Sequence, residues 1–251
     1  MHIYEADDWR QYQMNWHDPH RQLEPFEREK AIVDGALAAL VRAGVLSHAR
    51  YDVTKMLAHR AAVRERFDIP WTAISPRMQR LLYAINAIAQ PQVMVAVGVF
   101  CGNTFVSNAG AAIGPGASYQ AKRVVGIEIR PREAERARRN VETIHANGPE
   151  GSTRAEILAA DGIAWLRDTE ETIDLLYLDA DGGPRGAKSI YLELLQAGLH
   201  ALRRGSLVLA HNSVNSARSM ADYLAYVRDP ARFGESVNMI VDDQGLEVSI
   251  F

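Results

Sequence analysis

The residues of this sequence that could do chemistry fall at the ends of short apolar runs. The run Val93-Met94-Val95-Ala96-Val97 ends in Gly98-Val99-Phe100-Cys101-Gly102, and Asn103 and Thr104 follow. Glycines at such a turn let the backbone bend tightly and approach a ligand. A helix that starts there aims its free N–H groups at the same place. A turn of this kind also occurs for purely structural reasons. The next run ends Val125-Gly126-Ile127-Glu128-Ile129. A carboxylate at the end of a second strand can accept hydrogen bonds from both hydroxyls of a ribose; the alternative is a solvated glutamate. The glycine pattern is G-x-x-x-G, not the dinucleotide G-x-G-x-x-G, and no second glycine cluster awaits a pyrophosphate. A nucleoside without phosphates fits better than a dinucleotide. Three later runs end in Ala160-Asp161-Gly162, Leu178-Asp179-Ala180-Asp181 and Leu209-Ala210-His211-Asn212.

These residues need a scaffold, and its texture changes near residue 90. Before it the chain reads as helical. Apolar residues at helical spacing (Ile32, Ala36, Leu37, Leu40, Val41) predict a helix over 24–43, with Pro25 near its start and Gly44 at its stop. Two more are expected over 53–67 and 75–89. The first twenty residues are polar and rich in rings, among them Tyr4, Trp9, Tyr12 and Trp16. Without strand or helix periodicity they read as a lid over a small ligand, or as a dimer arm or simple packing. After residue 90, apolar runs at 92–97, 124–129, 155–159, 173–178 and 206–210 alternate with helical patterns at 104–112, 132–146, 162–168 and 187–201. That alternation implies a parallel sheet covered on both faces. A helix at 216–228 precedes two strands, 236–241 and 246–251, joined by the hairpin loop Asp242-Asp243-Gln244-Gly245. The expected fold is α/β: a Rossmann-like, doubly wound, seven-stranded sheet over 91–251, with an N-terminal helical cap over 1–90.

Composition narrows the function classes. The 251 residues carry a formal net charge of -3, which argues against a general nucleic-acid binder and gives no reason to expect a membrane surface as partner. A single cysteine, Cys101, excludes an internal disulfide, and no CxxC or Cys/His cluster offers a zinc site. Both fit a reducing cytoplasm. The acidic, aromatic start is unlike a signal peptide, and the apolar runs are too short to span a bilayer.

From about residue 75 to the end, the glycine loop, Glu128, Asp161-Gly162, Asp179 to Asp181, His211-Asn212 and the closing hairpin resemble class I S-adenosylmethionine-dependent methyltransferases. The resemblance is greatest to small-molecule O-methyltransferases of the catechol and caffeoyl-coenzyme A type. It implies the sheet order 3-2-1-4-5-7-6. It implies that Gly98 and Gly102 line the methionine part of S-adenosylmethionine, that Phe100 and Asn103 also bind the cofactor, that Glu128 holds the ribose, and that Asp161 and Gly162 lie against the adenine. It places Asp179, His211 and Asn212 in the catalytic end. In the metal-dependent members, the positions of Asp179 and of a strand-five Asp-Asn pair ligate a divalent metal, which lowers the pKa of a bound hydroxyl. Related enzymes are often dimers, so a homodimer is expected.

The sequence departs from that pattern three times. His211 replaces an aspartate, and imidazole is a poor magnesium ligand; a softer metal, or no metal with His211 as base or orienting donor, stays open. Gly182 stands where a lysine often follows Asp179 by three positions, with Lys188 nearby in sequence. Ala96 replaces an acidic residue two before the first loop glycine, so the cofactor's amine loses a neighbouring charge. Cys101 reads as a small filler against the cofactor. Three functions follow: methyl transfer to a small-molecule acceptor; cyclisation of the cofactor itself to azetidine-2-carboxylate and methylthioadenosine, or transfer of its aminocarboxypropyl arm; or a non-catalytic binding module.

Overall fold

The computed structural model describes residues 2–71, 74–146, 148 and 152–251. Its strands are β1 (His2–Glu5), β2 (Val93–Val97), β3 (Arg123–Glu128), β4 (Ala155–Ala159), β5 (Ile173–Leu178), β6 (Leu202–His211), β7 (Ser236–Ile240) and β8 (Leu246–Ile250). They form one sheet in the order β1-β7-β8-β6-β5-β2-β3-β4. Every neighbouring pair is parallel except those made by β8, which runs antiparallel to β6 and β7.

The side chains of β2 are buried throughout, as a strand covered on both faces requires. One face carries α1 (Phe26–Arg42), α2 (Val53–Arg66), α3 (Pro76–Ala89), α4 (Asn103–Ala109) and α5 (Pro131–His145). Leu37, Leu81, Phe105 and Val141 pack there against Met94, Tyr177 and Leu209. The other face carries α6 (Gly162–Asp168), α7 (Tyr191–Gly198) and α8 (Ala221–Val227). Leu166, Leu194 and Tyr223 meet Val95, Leu176 and Val208 on that side. Helix starts are set locally: Asp52, Ser75 and Asp161 each accept a hydrogen bond from a first-turn N–H of α2, α3 and α6.

Four differences from the sequence reading have physical causes. The sheet has eight strands among the described residues, not seven. Residues 2–5 pair with β7 and cover an edge that would otherwise expose unpaired backbone groups. A strand of four residues is too short to show alternation, and Tyr4 is held by a hydrogen bond from its hydroxyl to the Ile32 carbonyl, 2.7 Å away. The helix expected over 187–201 is α7 flanked by 3-10 turns at 187–190 and 199–201. The helix expected over 216–228 shortens to α8, because the backbone of residues 212–220 is taken up in successive turns, with Asn212 at φ +70°. Strand β6 begins four residues earlier than its apolar run, with a register shift against β5 between Ile173 and Leu175.

Candidate active site

A cleft of about 580 Å³ opens at the carboxyl ends of the parallel strands. Its first half lies beyond β2, β3 and β4. Gly98 has φ +86°, and a Cβ there would sit 2.4 Å from the Ala180 backbone. Only glycine lets the β2 turn pass so close to the end of β5. Glu128 ends β3, is 4% exposed, and accepts hydrogen bonds from Phe100 N–H at 2.9 Å and from Arg130 N–H and Nε at 3.1 and 3.0 Å. A carboxylate has about four lone-pair sites, so capacity remains for a ligand hydroxyl. Asp161 caps α6, and a Cβ on Gly162 would meet Val97 at 2.4 Å. Gly98, Phe100, Asn103, Glu128, Asp161 and Gly162 all line the cleft. Gly102 does not: it sits behind the wall at φ +92°, starting α4 close to Ala137 of α5. Cys101 reaches the cleft, and burial pushes its thiol up to about 11, so it is protonated and inert at neutral pH.

The second half lies beyond β5, β6 and the β7–β8 hairpin. Lys188 Nζ stands 2.9 Å from Asp179 Oδ1, 2.9 Å from the Asp179 carbonyl oxygen and 3.2 Å from Asp181 Oδ1. His211 Nδ1 faces the same Asp179 oxygen at 3.4 Å. Burial alone would raise the Asp179 carboxyl, but Lys188 and His211 outweigh it and hold it down to about 2. Burial likewise disfavours the Lys188 charge, and the two aspartates more than restore it. His211 is 1% exposed and stands behind Asp179, not on the cleft wall; its Nε2 is buried without a partner among the described residues. Asn212 lines the cleft, and its Nδ2 donates to Gln244 Oε1 at 2.8 Å, as does Asn215 Nδ2.

The metal that the resemblance implies would need Asp179, His211 and Asn212 as ligands. This donor set does not fit one. The Lys188 ammonium holds Asp179 Oδ1, and a divalent cation there would face a fixed positive charge at close range. Asn212, its amide nitrogen held by Gln244, could bring only one neutral oxygen, Oδ1, and His211 is buried behind Asp179. Among the described residues no three His, Cys, Asp or Glu side chains are grouped to hold a metal.

The mouth is aromatic. Trp71 packs on Phe100 with ring centroids 4.9 Å apart, and Trp16 packs on Trp71 at 5.9 Å. Both tryptophans line the cleft, yet they are 43% (Trp16) and 48% (Trp71) exposed. The segment carrying Trp16 is pinned at both sides by one buried arginine. Arg77 of α3 donates to Asp8 at 2.7 and 3.0 Å and to Glu24 at 2.7 and 2.6 Å, and its guanidinium lies 3.7 Å from the Tyr12 ring centroid. Sequence reading singled out Trp16 among the lid rings but missed Lys188, Asn215, Gln244 and Trp71 as site residues. Lys188 had one legible signal, the missing lysine at Gly182. The others come from loops whose approach only the fold decides.

Residues 95–213 match a family model described as a methyltransferase domain. No curated protein matches the chain. Among solved structures, cofactor-bound Rv0187 from MTB is similar at 19% identity and TM-score 0.60, over 92% of this chain and 98% of that one. The O-methyltransferase from Bacillus cereus, in complex with SAH, is similar at 17% identity and TM-score 0.56, over 80% and 92%. The O-methyltransferase TomG from Streptomyces achromogenes, in complex with SAM, is similar at 20% identity and TM-score 0.53, over 91% and 99%. At these identities the likeness is one of fold. No helix among the described residues is long and apolar enough to cross a membrane.

Proposed function

We propose that the chain, whose residues 95–213 match a family model described as a methyltransferase domain, is a class I S-adenosylmethionine-dependent enzyme that transfers a methyl group to a small-molecule acceptor. The observation that carries this reading is the first half of the cleft. There a glycine turn pressed against the end of β5 and a buried strand-end glutamate face one cavity. The cofactor supplies an electrophilic methyl group on a sulfonium. Gly98 leaves room for its methionine part, Glu128 accepts from the ribose hydroxyls, and Asp161 and Gly162 lie against the base. The enzyme's contribution is then proximity and orientation, with Trp16 and Trp71 limiting water at the mouth. Asp179 near 2 is a weak base, and Lys188 is held protonated. An acceptor that brings its own lone pair suits this end better than one needing a strong base.

Titration of the protein with S-adenosylhomocysteine in a calorimeter tests the assignment. Wild type binds, and Glu128→Gln binds roughly tenfold more weakly or worse, since hydrogen bonds to a charged acceptor are the strong ones. No binding by wild type overturns the function; equal binding by the variant overturns the ribose role.

Cyclisation of the cofactor keeps one supporting observation. Ala96 is fully buried and Asp179 is paired with Lys188, so the carboxylate that would hold the cofactor's amine as ammonium is missing from one position and engaged at the other. Incubation with S-adenosylmethionine alone separates the readings. Methylthioadenosine with a four-carbon cyclic amino acid supports cyclisation; unchanged cofactor supports methyl transfer.

A further inference from the structure

The second half of the cleft has a polarity set by one residue outside the reaction. Asp243, in the β7–β8 hairpin, accepts a hydrogen bond from Gln244 Nε2 at 2.8 Å. An ionised carboxylate can only accept, so Gln244 must turn its amide nitrogen to Asp243 and its Oε1 the other way. That oxygen then requires donors, and it receives two: Asn212 Nδ2 and Asn215 Nδ2, each at 2.8 Å. Each amide nitrogen spends one of its two N–H groups on Gln244, and because the nitrogens turn that way, the Oδ1 atoms of Asn212 and Asn215 stay free as acceptors beside the cleft they line. Among the described residues Asn212 Oδ1 accepts no hydrogen bond, and it is not one of the sealed-off polar atoms, so it is open to a ligand. The ambiguity of an amide's two ends, which ordinarily has to be assigned from surroundings, is removed here because the chain starts at a carboxylate.

The nearby cation does not offset this. An ammonium has three donors, and Lys188 directs them at the Asp179 carbonyl, Asp179 Oδ1 and Asp181 Oδ1. Two carboxylates against one ammonium leave this corner negative. The Asp181 side chain is 77% exposed and keeps free acceptor capacity. The aromatic faces of Trp16 and Trp71 at the mouth also favour a cation over an anion. With the Lys188 donors spent on the two aspartates, this end offers a free carboxylate, two amide oxygens and π faces against the Ser216 hydroxyl and the second amide N–H groups.

We infer that the end of the cleft formed by β5, β6 and the β7–β8 hairpin binds the amine or ammonium group of a small molecule, through Asn212 Oδ1, Asn215 Oδ1 and the Asp181 carboxylate. The inference rests on the reading of the first half as the S-adenosylmethionine site. An amine can come from two sources, the acceptor substrate or the cofactor's own methionine part, and both present the same donors.

The test is calorimetric, on full-length protein loaded with S-adenosylhomocysteine. The probes are matched pairs differing by one amine: tyramine against 4-ethylphenol, and 2-phenylethylamine against 2-phenylethanol. The amine of each pair binds roughly tenfold tighter, as a charge-assisted hydrogen bond allows. Asn215→Leu removes the preference, and Asn215→Asp, which keeps an acceptor and adds charge, retains or strengthens it. If the cofactor is the source, the probes show no preference. Desamino-S-adenosylhomocysteine then binds roughly tenfold more weakly than S-adenosylhomocysteine to wild type, and equally to Asn215→Leu. Preference for neither amine, or equal binding of the neutral probes with an unimpaired desamino analogue, overturns the inference while leaving the cofactor site standing. Failure of S-adenosylhomocysteine to bind overturns the cofactor reading instead, and the probe pairs on unloaded protein still decide the amine preference.

Discussion

The two halves of the cleft are built from different materials. Beyond β2, β3 and β4 the wall is made by backbone turns at strand ends: Gly98 against Ala180, Glu128 receiving the Phe100 N–H, Asp161 capping α6. Beyond β5, β6 and the hairpin it is made by side chains from separate loops, Asp179 with Lys188 and His211, and Asn212 and Asn215 with Gln244. The first kind of wall suits a ligand shared by many enzymes. The second can change its chemistry by exchanging loop residues, as fold and function separate generally. Two of the three departures noted in the sequence fall on the side of the second half, His211 behind Asp179 at the end of β6 and Gly182 after β5, while Ala96 is buried in β2 beneath the first.

Substitutions that strike one half and spare the other would sharpen this contrast. The largest effect is expected at Gly98→Ala. The added Cβ meets main-chain atoms of Ala180 that cannot swing aside, and φ +86° is strained for alanine. A loss of about 3 kcal/mol or more, as lower stability or as over a hundredfold weaker binding of S-adenosylhomocysteine, should appear in thermal melts and calorimetry. A near-neutral result would mean the backbone wall is soft, and the contrast would fail.

A smaller effect is expected from acid. The Asp179 carboxyl lies below its ordinary value of 3.8, near 2. A depressed carboxylate contributes stability above its unfolded pKa, and that contribution is lost as pH falls through the folded one. About 2 kcal/mol should therefore disappear between roughly pH 4 and pH 2. Urea melts across that window should show it in wild type, and Asp179→Asn should flatten it. An unchanged slope in the variant would assign the acid loss to other carboxylates, such as Asp8, which Arg77 also holds down to about 2.

The smallest effect belongs to Cys101→Ala. The thiol touches the cleft but is protonated at neutral pH. Removing it should cost about 1 kcal/mol of stability, and cofactor affinity should stay within about threefold. Iodoacetamide at pH 8 should label wild-type protein slowly. Rapid labelling, or loss of activity in the variant, would give the thiol a role that its burial argues against.

How much of this was legible in the sequence follows the same division. The parallel strands and the long helices were readable because continuous apolar runs and helical spacing are local signals: β4, β5 and α6 match their expected ranges. Strand β1 was not, since four residues carry no period and the strand exists only because β7 has an edge to cover. The glycine turn and Glu128 were visible as residue types at strand ends. The placement of Lys188 on Asp179, nine positions away through a loop, was not. The depth of two named residues was not legible either: His211 is buried beside Asp179, and Gly102 starts α4 off the cleft lining.

By itself, then, the sequence determined the doubly wound sheet and the backbone half of the cleft, because both depend on periodicity and on where glycine and a strand-end acid must fall. The tertiary structure alone decided the polarity of the other half. Asp243, Gln244, Asn212 and Asn215 are ordinary polar residues until β6 and the hairpin bring them into one hydrogen-bonded chain. Which amide ends meet within that chain, and so which oxygens stay free, is then set by a carboxylate that can only accept.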